Sequence, residues 1–410
     1  MEYTVIASKD NKNKVIGPRG GANQSRLRAY NERLVLSMIR RHGGISKSEL
    51  ARRTGLTAQS MSVIMRSLEK DGLLLRGEPQ RGRVGQPSIP MLLNPDGAFT
   101  IGLKIGRRRV DLVIMDFVGQ QRMAIHETYT HPQPQQILDF VGKGLSRLID
   151  VLSSDQQERI VGMGVAMPFG LWNWLEKVGA PKGEMEAWRE FDIKSALEGL
   201  CPYPVLIQND ATSACGAELV FGRGAEIGDF VYFFIGSFIG GGIVLNHNVY
   251  PGRSGNAGAL GSMPVISADG APTQLIEQAS IYVLEHTLRD KGIDPSPLWL
   301  TPDNWDGFGD CLEQWIAQVA THIAMAIVSS YSVIVFGAAI IDGAFPQDVR
   351  ERIVDATTAA LQGFDLQGIK TPVILPGKVG SDARVIGSAS LPLFVHYLLD
   401  QNILFKEAST

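Results

Sequence analysis

Along residues 27–68 apolar side chains recur every three or four positions and glycines interrupt them. Past the turn Asn94-Pro95-Asp96-Gly97 they gather instead into runs of strand length. One change of period at one place requires two units of different architecture. Charge divides at the same point. Residues 1–95 hold 17 Lys+Arg against 7 Asp+Glu, a net of +10; the chain totals of 39 and 42 leave 22 and 35, a net of −13, for the remaining 315 residues. A basic module fused to an acidic body points to nucleic acid as partner of the first, and to a small molecule or protein as partner of the second.

Residues 1–22 have no apolar period and are expected to form a flexible basic arm. Leu27, Leu34, Val35, Met38 and Ile39 then predict a helix that ends at Gly43-Gly44. Ser46-Lys47-Ser48-Glu49 has the form of a capping box, opening a short helix closed by Gly55. Thr57 caps a third helix with Met61, Ile64, Met65 and Leu68 on one side and Gln59, Ser60, Ser62, Val63 and Arg66 on the other. Two strands, 73–75 and 89–93, flank a basic loop carrying Arg81 and Arg83, which has the size of a wing. Residues 23–95 therefore read as a winged helix-turn-helix. Gln59 suits paired hydrogen bonds to a base edge, and Arg66 suits guanine or phosphate. Arg81 and Arg83 suit phosphates or a narrow minor groove, while Lys47, Ser48, Thr57, Ser60 and Ser62 complete the expected DNA-binding face.

In the acidic body, three β-rich runs (99–105, 110–116 and 123–128) lead into alternating helices and strands, the strands near 160–166 and 205–208. A mixed sheet in a two-lobed α/β protein follows. The uncharged stretch from residue 314 onward reads as a buried helix followed by a buried strand at 333–336 rather than a bilayer span. Cys201, Cys215 and Cys311 are far apart and the seven histidines scattered, so neither a disulfide framework nor a metal site is expected. The first residues lack the apolar core of a signal peptide, which predicts a cytoplasmic chain.

The winged helix followed by Ile101-Gly-Leu-Lys-Ile-Gly106, Val205-Leu-Ile-Gln-Asn-Asp210, Ile235-Gly-Ser-Phe-Ile-Gly-Gly-Gly242 and Ser254-Gly-Asn-Ala-Gly-Ala-Leu-Gly261 resembles the ROK family of sugar kinases and sugar-responsive repressors, over residues 25–400. The resemblance implies an actin-like, ribonuclease-H-like fold with a carbohydrate cleft between two lobes, and a homo-oligomer, dimer or tetramer. It divides the body into a first lobe (96–212), a second lobe with the oligomerisation region (213–375) and a C-terminal return to the first lobe (376–410). It also implies an effector site of Asn209, Asp210, Asn256, Ser262 and Lys182, with Glu277 or, on a second alignment, Ile276 at a further position. Trp172 and Trp174 are candidates to stack on a sugar face.

The departures from the kinase pattern carry as much weight. Lys104 and Arg107-Arg108 stand where the kinases have an acid and a small phosphate loop, Ser237-Phe238 crowds the second glycine-rich turn, Ala259 and Ser262 replace a Glu and a His, and the zinc cysteines are absent. Phosphoryl transfer, cofactor and zinc are therefore not expected. A further expectation is an anion beside Arg107 to Arg109, the alternative being a solvated turn. The function these features imply is a repressor that binds an inverted-repeat operator and answers to a carbohydrate-like effector. The competing readings are a sugar kinase with a DNA-binding front and a constitutive DNA-binding protein with a relic cleft.

Overall fold

The computed structural model describes residues 24–79, 88–169, 186–253 and 255–399. The arm 1–22, Arg81 and Arg83 of the wing, Trp172, Trp174 and Lys182 lie outside the described residues.

The front segment folds as its periodicity predicts, with α1 (Gln24–His42), β1 (Ile45–Ser46), α2 (Lys47–Thr54), α3 (Ala58–Lys70), β2 (Leu74–Arg76) and β3 (Pro90–Leu93). The strands form one antiparallel sheet in the order β1-β3-β2. The capping box closes on one side only. Ser46 Oγ accepts from the Glu49 amide at 3.3 Å, but the Glu49 carboxylate turns to Arg52 (2.8 Å) and Arg53 (2.5 Å), which outcompete a reach back to the cap. α2 ends where Gly55 takes φ 70°, a left-handed conformation that costs glycine nothing.

The body contains two sheets built alike. In the first, β4 (Phe99–Ile105), β5 (Arg109–Asp116) and β6 (Gln121–Thr128) form an antiparallel meander. β7 (Ile160–Met167) and β8 (Val205–Asn209) then add in parallel, giving the order β6-β5-β4-β7-β8. In the second, β9 (Phe230–Ile235), β10 (Ile239–Leu245), β11 (Asn248–Val249), β14 (Ala338–Gly343) and β15 (Ile374–Pro376) repeat the plan as β11-β10-β9-β14-β15, with a small ribbon of β12 (Pro264–Ile266) and β13 (Pro272–Gln274) inserted between β11 and β14. Numbered along the chain, each sheet runs 3-2-1-4-5, the duplicated half of an actin-like fold. α4 (Pro134–Ile149) covers the first sheet through Ile137, Val141 and Leu145. α5 (Asp210–Phe221) passes from the first lobe to β10, so the boundary expected at 212 falls inside a continuous helix.

The long apolar helix is α7 (Gly309–Tyr331), with α6 (Ile281–Asp290) before it and α8 (Gln347–Ala360) after it. Val319, Ile323 and Ile327 of α7 are fully buried in the second-lobe core, which accounts for its composition without a membrane. The strand expected at 333–336 is displaced. Val333 and Val335 are 83% and 70% exposed, and the buried strand is the next run, Ala338–Gly343. β-branching alone does not distinguish a strand from an exposed connection; burial of Ile340 and Ile341 between β9 and β15 does.

The last helix, α9 (Ala383–His396), crosses β4, β7 and α5 so closely that glycine is needed on both sides. A Cβ on Gly164 would overlap the Ser388 carbonyl, and one on Gly387 would overlap the Ser213 carbonyl. Its far end joins the front module. Leu393 and Leu398 share one core with Val35, Leu36 and Ile39 of α1, and the Leu399 amide donates to Ser37 Oγ at 3.0 Å. Beside them Arg40 of α1 donates to the Phe117 carbonyl at 2.5 Å and lies over the Phe117 and Phe221 rings. Burial lowers the Arg40 pKa to about 10, and its guanidinium remains charged at neutral pH.

Candidate functional site

A cavity of about 200 Å³ lies between the lobes, where the end of β8, the β9–β10 turn and the start of α9 converge. Asn209 ends β8 in extended conformation, and its side-chain oxygen accepts from the Ala211 and Thr212 amides at 3.0 and 3.2 Å. It therefore caps α5, and its amide NH₂ is the part left for a ligand. Asp210 follows in the first helical turn, where the positive end of the helix favours a carboxylate. Arg384 donates to Asp210 at 3.3 Å, and its guanidinium stacks over Phe234 at 5.0 Å.

The cavity brings together Asn209, Asp210, Asn256 and Ser262 with Phe169 and Ile276. Glu277 is not among its walls. The chain turns so that Ile276 faces the space while the Glu277 carboxylate accepts from the Tyr282 hydroxyl. Arg384, Arg107 and His131 also line the cavity without having been expected there. Arg384 lies 174 positions from its partner Asp210, and no local pattern marks such a pairing.

At the first turn, between β4 and β5, cationic side chains fill the space that a phosphate loop would leave open. Lys104 pairs with Asp111 at 2.7 Å, and Arg107 and Arg108 reach across the cleft to Glu285 of α6 at 2.7 and 3.0 Å. Tyr129 pins the turn through a 2.6 Å bond to the Gly106 carbonyl. Burial lowers the pKa of Lys104 and Arg107. It pushes the Glu285 carboxyl up, but Arg107 and Arg108 more than offset this and hold it below the usual range. The second glycine run is not a cradle. Gly240, Gly241 and Gly242 belong to β10, and Ala211, Tyr232 and Cys215 occupy the space their side chains would need. Among the described residues no three His, Cys, Asp or Glu are grouped to hold a metal ion.

On the front module, Lys47, Ser48, Gln59, Val63 and Arg66 are exposed. Thr57 Oγ1 accepts from the Ser60 amide at 3.1 Å and so caps α3, and Ser62 Oγ donates to the Ala58 carbonyl at 2.6 Å. These hydroxyls shape the helix first, leaving Gln59 and Arg66 as its long polar reach.

The sequence pattern of the ROK family matches residues 100–276, and that of the MarR family matches residues 29–83. The body of the chain therefore carries a ROK family domain over residues 100–276. The xylose repressor of Bacillus spizizenii is 25% identical over 245 residues, 60% of this chain and 62% of that protein. The N-acetylglucosamine repressor of Escherichia coli O157:H7 is 24% identical over 246 residues, 59% of each. The chain thus matches less than two thirds of the length of these relatives. Among solved structures, a ROK family transcriptional regulator described as a homologue of the E. coli MLC protein superposes with a TM-score of 0.64 at 19% identity, over 92% of this chain and 99% of the other. A ROK family glucokinase from Streptomyces griseus, in complex with glucose and AMPPNP, superposes with a TM-score of 0.56 at 19% identity, over 72% and 99%. At such identity these structures establish the shared fold, and both kinds of ROK protein, regulator and kinase, have it.

Proposed function

We propose that the protein is a DNA-binding transcriptional repressor whose operator affinity is set by a carbohydrate or carbohydrate-derived effector held between the lobes of a ROK domain without catalytic activity. The observation that carries this reading is the course of α9. It begins at the cavity, with Arg384 on Asp210, and ends in the core of the winged helix. A ligand that engages Asp210 and Arg384 acts on one end of a packed helix whose other end shares a core with α1 of the winged helix. Operator and effector are coupled to the extent that the effector binds the DNA-competent and DNA-incompetent arrangements with different affinity.

In this reading the effector is polyhydroxylated. Asp210 accepts hydroxyl hydrogen bonds, the Asn209 NH₂ donates, and Asn256 and Ser262 add polar contacts, with Lys182 a further ligand from outside the described residues. The ion pairs that fill the first phosphate turn support a non-enzymatic role, since a nucleotide would have to break Arg107 and Arg108 away from Glu285. Gln59 and Arg66 read base edges, Lys47, Ser48, Arg81 and Arg83 hold phosphates, and two subunits face an inverted repeat because paired reading heads impose two-fold symmetry. The protein works as a homo-oligomer in the cytoplasm and requires no cofactor.

Two assays test the reading on the full chain. Competition binding compares a selected operator with random duplex, and equal affinity for both refutes the DNA-binding half. Calorimetry screens sugars, polyols and sugar phosphates against wild type and Asp210→Ala. A best binder that keeps its affinity in the variant refutes the effector half.

A further inference from the structure

Two helices leave the cavity between the lobes and arrive at one residue of the front module. α5 starts at the cavity with Asp210 and ends at Phe221; α9 starts there with Arg384 and is followed by Tyr397. The Asp210–Arg384 ion pair ties their near ends together. At the far ends, the Phe221 ring centre lies 5.5 Å from the Arg40 guanidinium, and Tyr397 packs edge-on, at 5.0 Å, against Phe117, whose ring centre lies 5.3 Å from the same guanidinium. The 12 residues of α5 make a helix about 18 Å long, which joins cavity and cage as one packed piece.

Arg40 depends on this cage. It makes no ion pair among the described residues, its Nε is enclosed without an acceptor, and its hydrogen bond goes to the Phe117 carbonyl. Asp116, the acid that partly offsets its burial, is itself paired with Arg122 at 2.8 Å. A cation with one neutral acceptor relies on the two rings for the rest of its stabilisation. The rings belong to different parts of the body. Phe117 sits in the β5–β6 turn of the first lobe, whereas Phe221 ends α5 just before the chain enters the second-lobe sheet at β9. Gly119 makes the fit close, since a Cβ there would overlap the Phe221 ring. One residue beyond Arg40, burial and then the Arg41 charge lower the pKa of His247 in the β10–β11 turn, so the last turn of α1 stands near the second lobe as well.

We infer that Arg40 is the positioning residue through which the body sets the reading head: the cage of Phe117 and Phe221 holds it in one arrangement of the lobes and releases it in the other. Cation–π attraction fades beyond about 6 Å from a ring centre, and a shift of about 1 Å between the rings is enough to free the guanidinium to water. α1 passes the change on, because Arg28 of α1 donates to Ser67 of α3 at 3.0 Å and the two helices share one core. The inference rests on the repressor reading and names the contact by which its effector signal reaches the front module.

Operator binding by the full chain, with and without the best sugar ligand, tests it in Arg40→Met, Phe221→Leu and Arg40→Lys. Arg40→Met and Phe221→Leu are expected to keep the preference for operator over random duplex and to bind sugar in calorimetry, while the sugar-induced shift in operator affinity falls from about fivefold or more to less than about twofold. Arg40→Lys keeps a cation over the rings and is expected to retain more of the shift than Arg40→Met. Should Arg40→Met fail to fold, Phe221→Leu, which keeps an apolar side chain in place, carries the test. A purely structural role would lower the melting temperature and leave the shift unchanged. A wild type that answers to sugar, with either folded variant answering equally, therefore overturns this inference alone. A wild type whose operator affinity ignores every sugar overturns the repressor reading and this inference with it.

Discussion

Asp210 is a carboxylate with a helix terminus behind it and an arginine beside it. That arrangement leaves its side-chain oxygens facing the cavity as acceptors for hydroxyl hydrogen bonds. Asp210→Ala should weaken the best sugar ligand about tenfold or more in calorimetry. The same change leaves the largely buried Arg384 without its partner, and should lower unfolding stability by about 1–3 kcal/mol in denaturant titration. A second acid away from the site makes a pH prediction. Glu218 is fully buried among the Arg223, Lys378 and Val379 amides, and burial, reinforced by Asp342, raises its pKa to about 7. A folded-state pKa raised above the unfolded value means that the native state holds the proton more tightly. Its contribution is then full below the ordinary glutamate range and is lost as pH rises through about 7. Glu218→Gln should remove that loss, so the variant gains stability relative to wild type between pH 5 and pH 8, by up to roughly 3 kcal/mol. Parallel melting-temperature profiles for the two proteins across that range would exclude the assignment.

Two helices carry the functional argument, and each has a point where one atom decides. α3 depends on Thr57 as its cap, so Thr57→Ala should cost about 1 kcal/mol of stability. Gln59→Ala or Arg66→Ala should leave folding intact and reduce preference for the selected operator by about 1–3 kcal/mol in competition binding. α9 depends on Gly387 lying against the Ser213 carbonyl. Gly387→Ala should destabilise by about 1–3 kcal/mol or more, because backbone rather than a movable side chain blocks the added methyl; an unchanged denaturation midpoint would show that the crossing is looser than described. These elements differ in how far the sequence reveals them. The front module is legible because each of its helices has its own period, cap and terminating glycine. The meander is legible because its runs are apolar and the turns between them short. α9 as a link between site and front module is not, since its role lies in contacts with Asp210, with Ser213 and, through Leu393, with the core of α1, all far away along the chain. The same holds for Glu285, which nothing near residue 285 marks as the partner of Arg107. Ile276 and Glu277 differ by one position, and only the direction of the backbone decides which faces the cavity.

At the scale of the whole molecule, the net +10 of the front segment and −13 of the body orient the protein on a polyanion, because the body is repelled by the phosphates that attract the front module. Operator affinity should therefore fall steeply with salt. In the proposed function the body contributes a second equilibrium, closure of two lobes of equal topology, read out through α9. Linkage makes the coupling reciprocal: an effector that changes operator affinity by some factor must have its own affinity changed by the operator by the same factor. The most direct measurement is operator binding by fluorescence anisotropy, on the full chain at fixed salt, with and without the best sugar ligand found by calorimetry. Wild type should bind the operator more tightly than random duplex and shift its operator affinity by about fivefold or more when the sugar is added, while Asp210→Ala keeps the preference for the operator and loses the shift. Equal affinity for operator and random duplex, or the same sugar response in Asp210→Ala, would contradict a repressor governed from the cleft between the lobes.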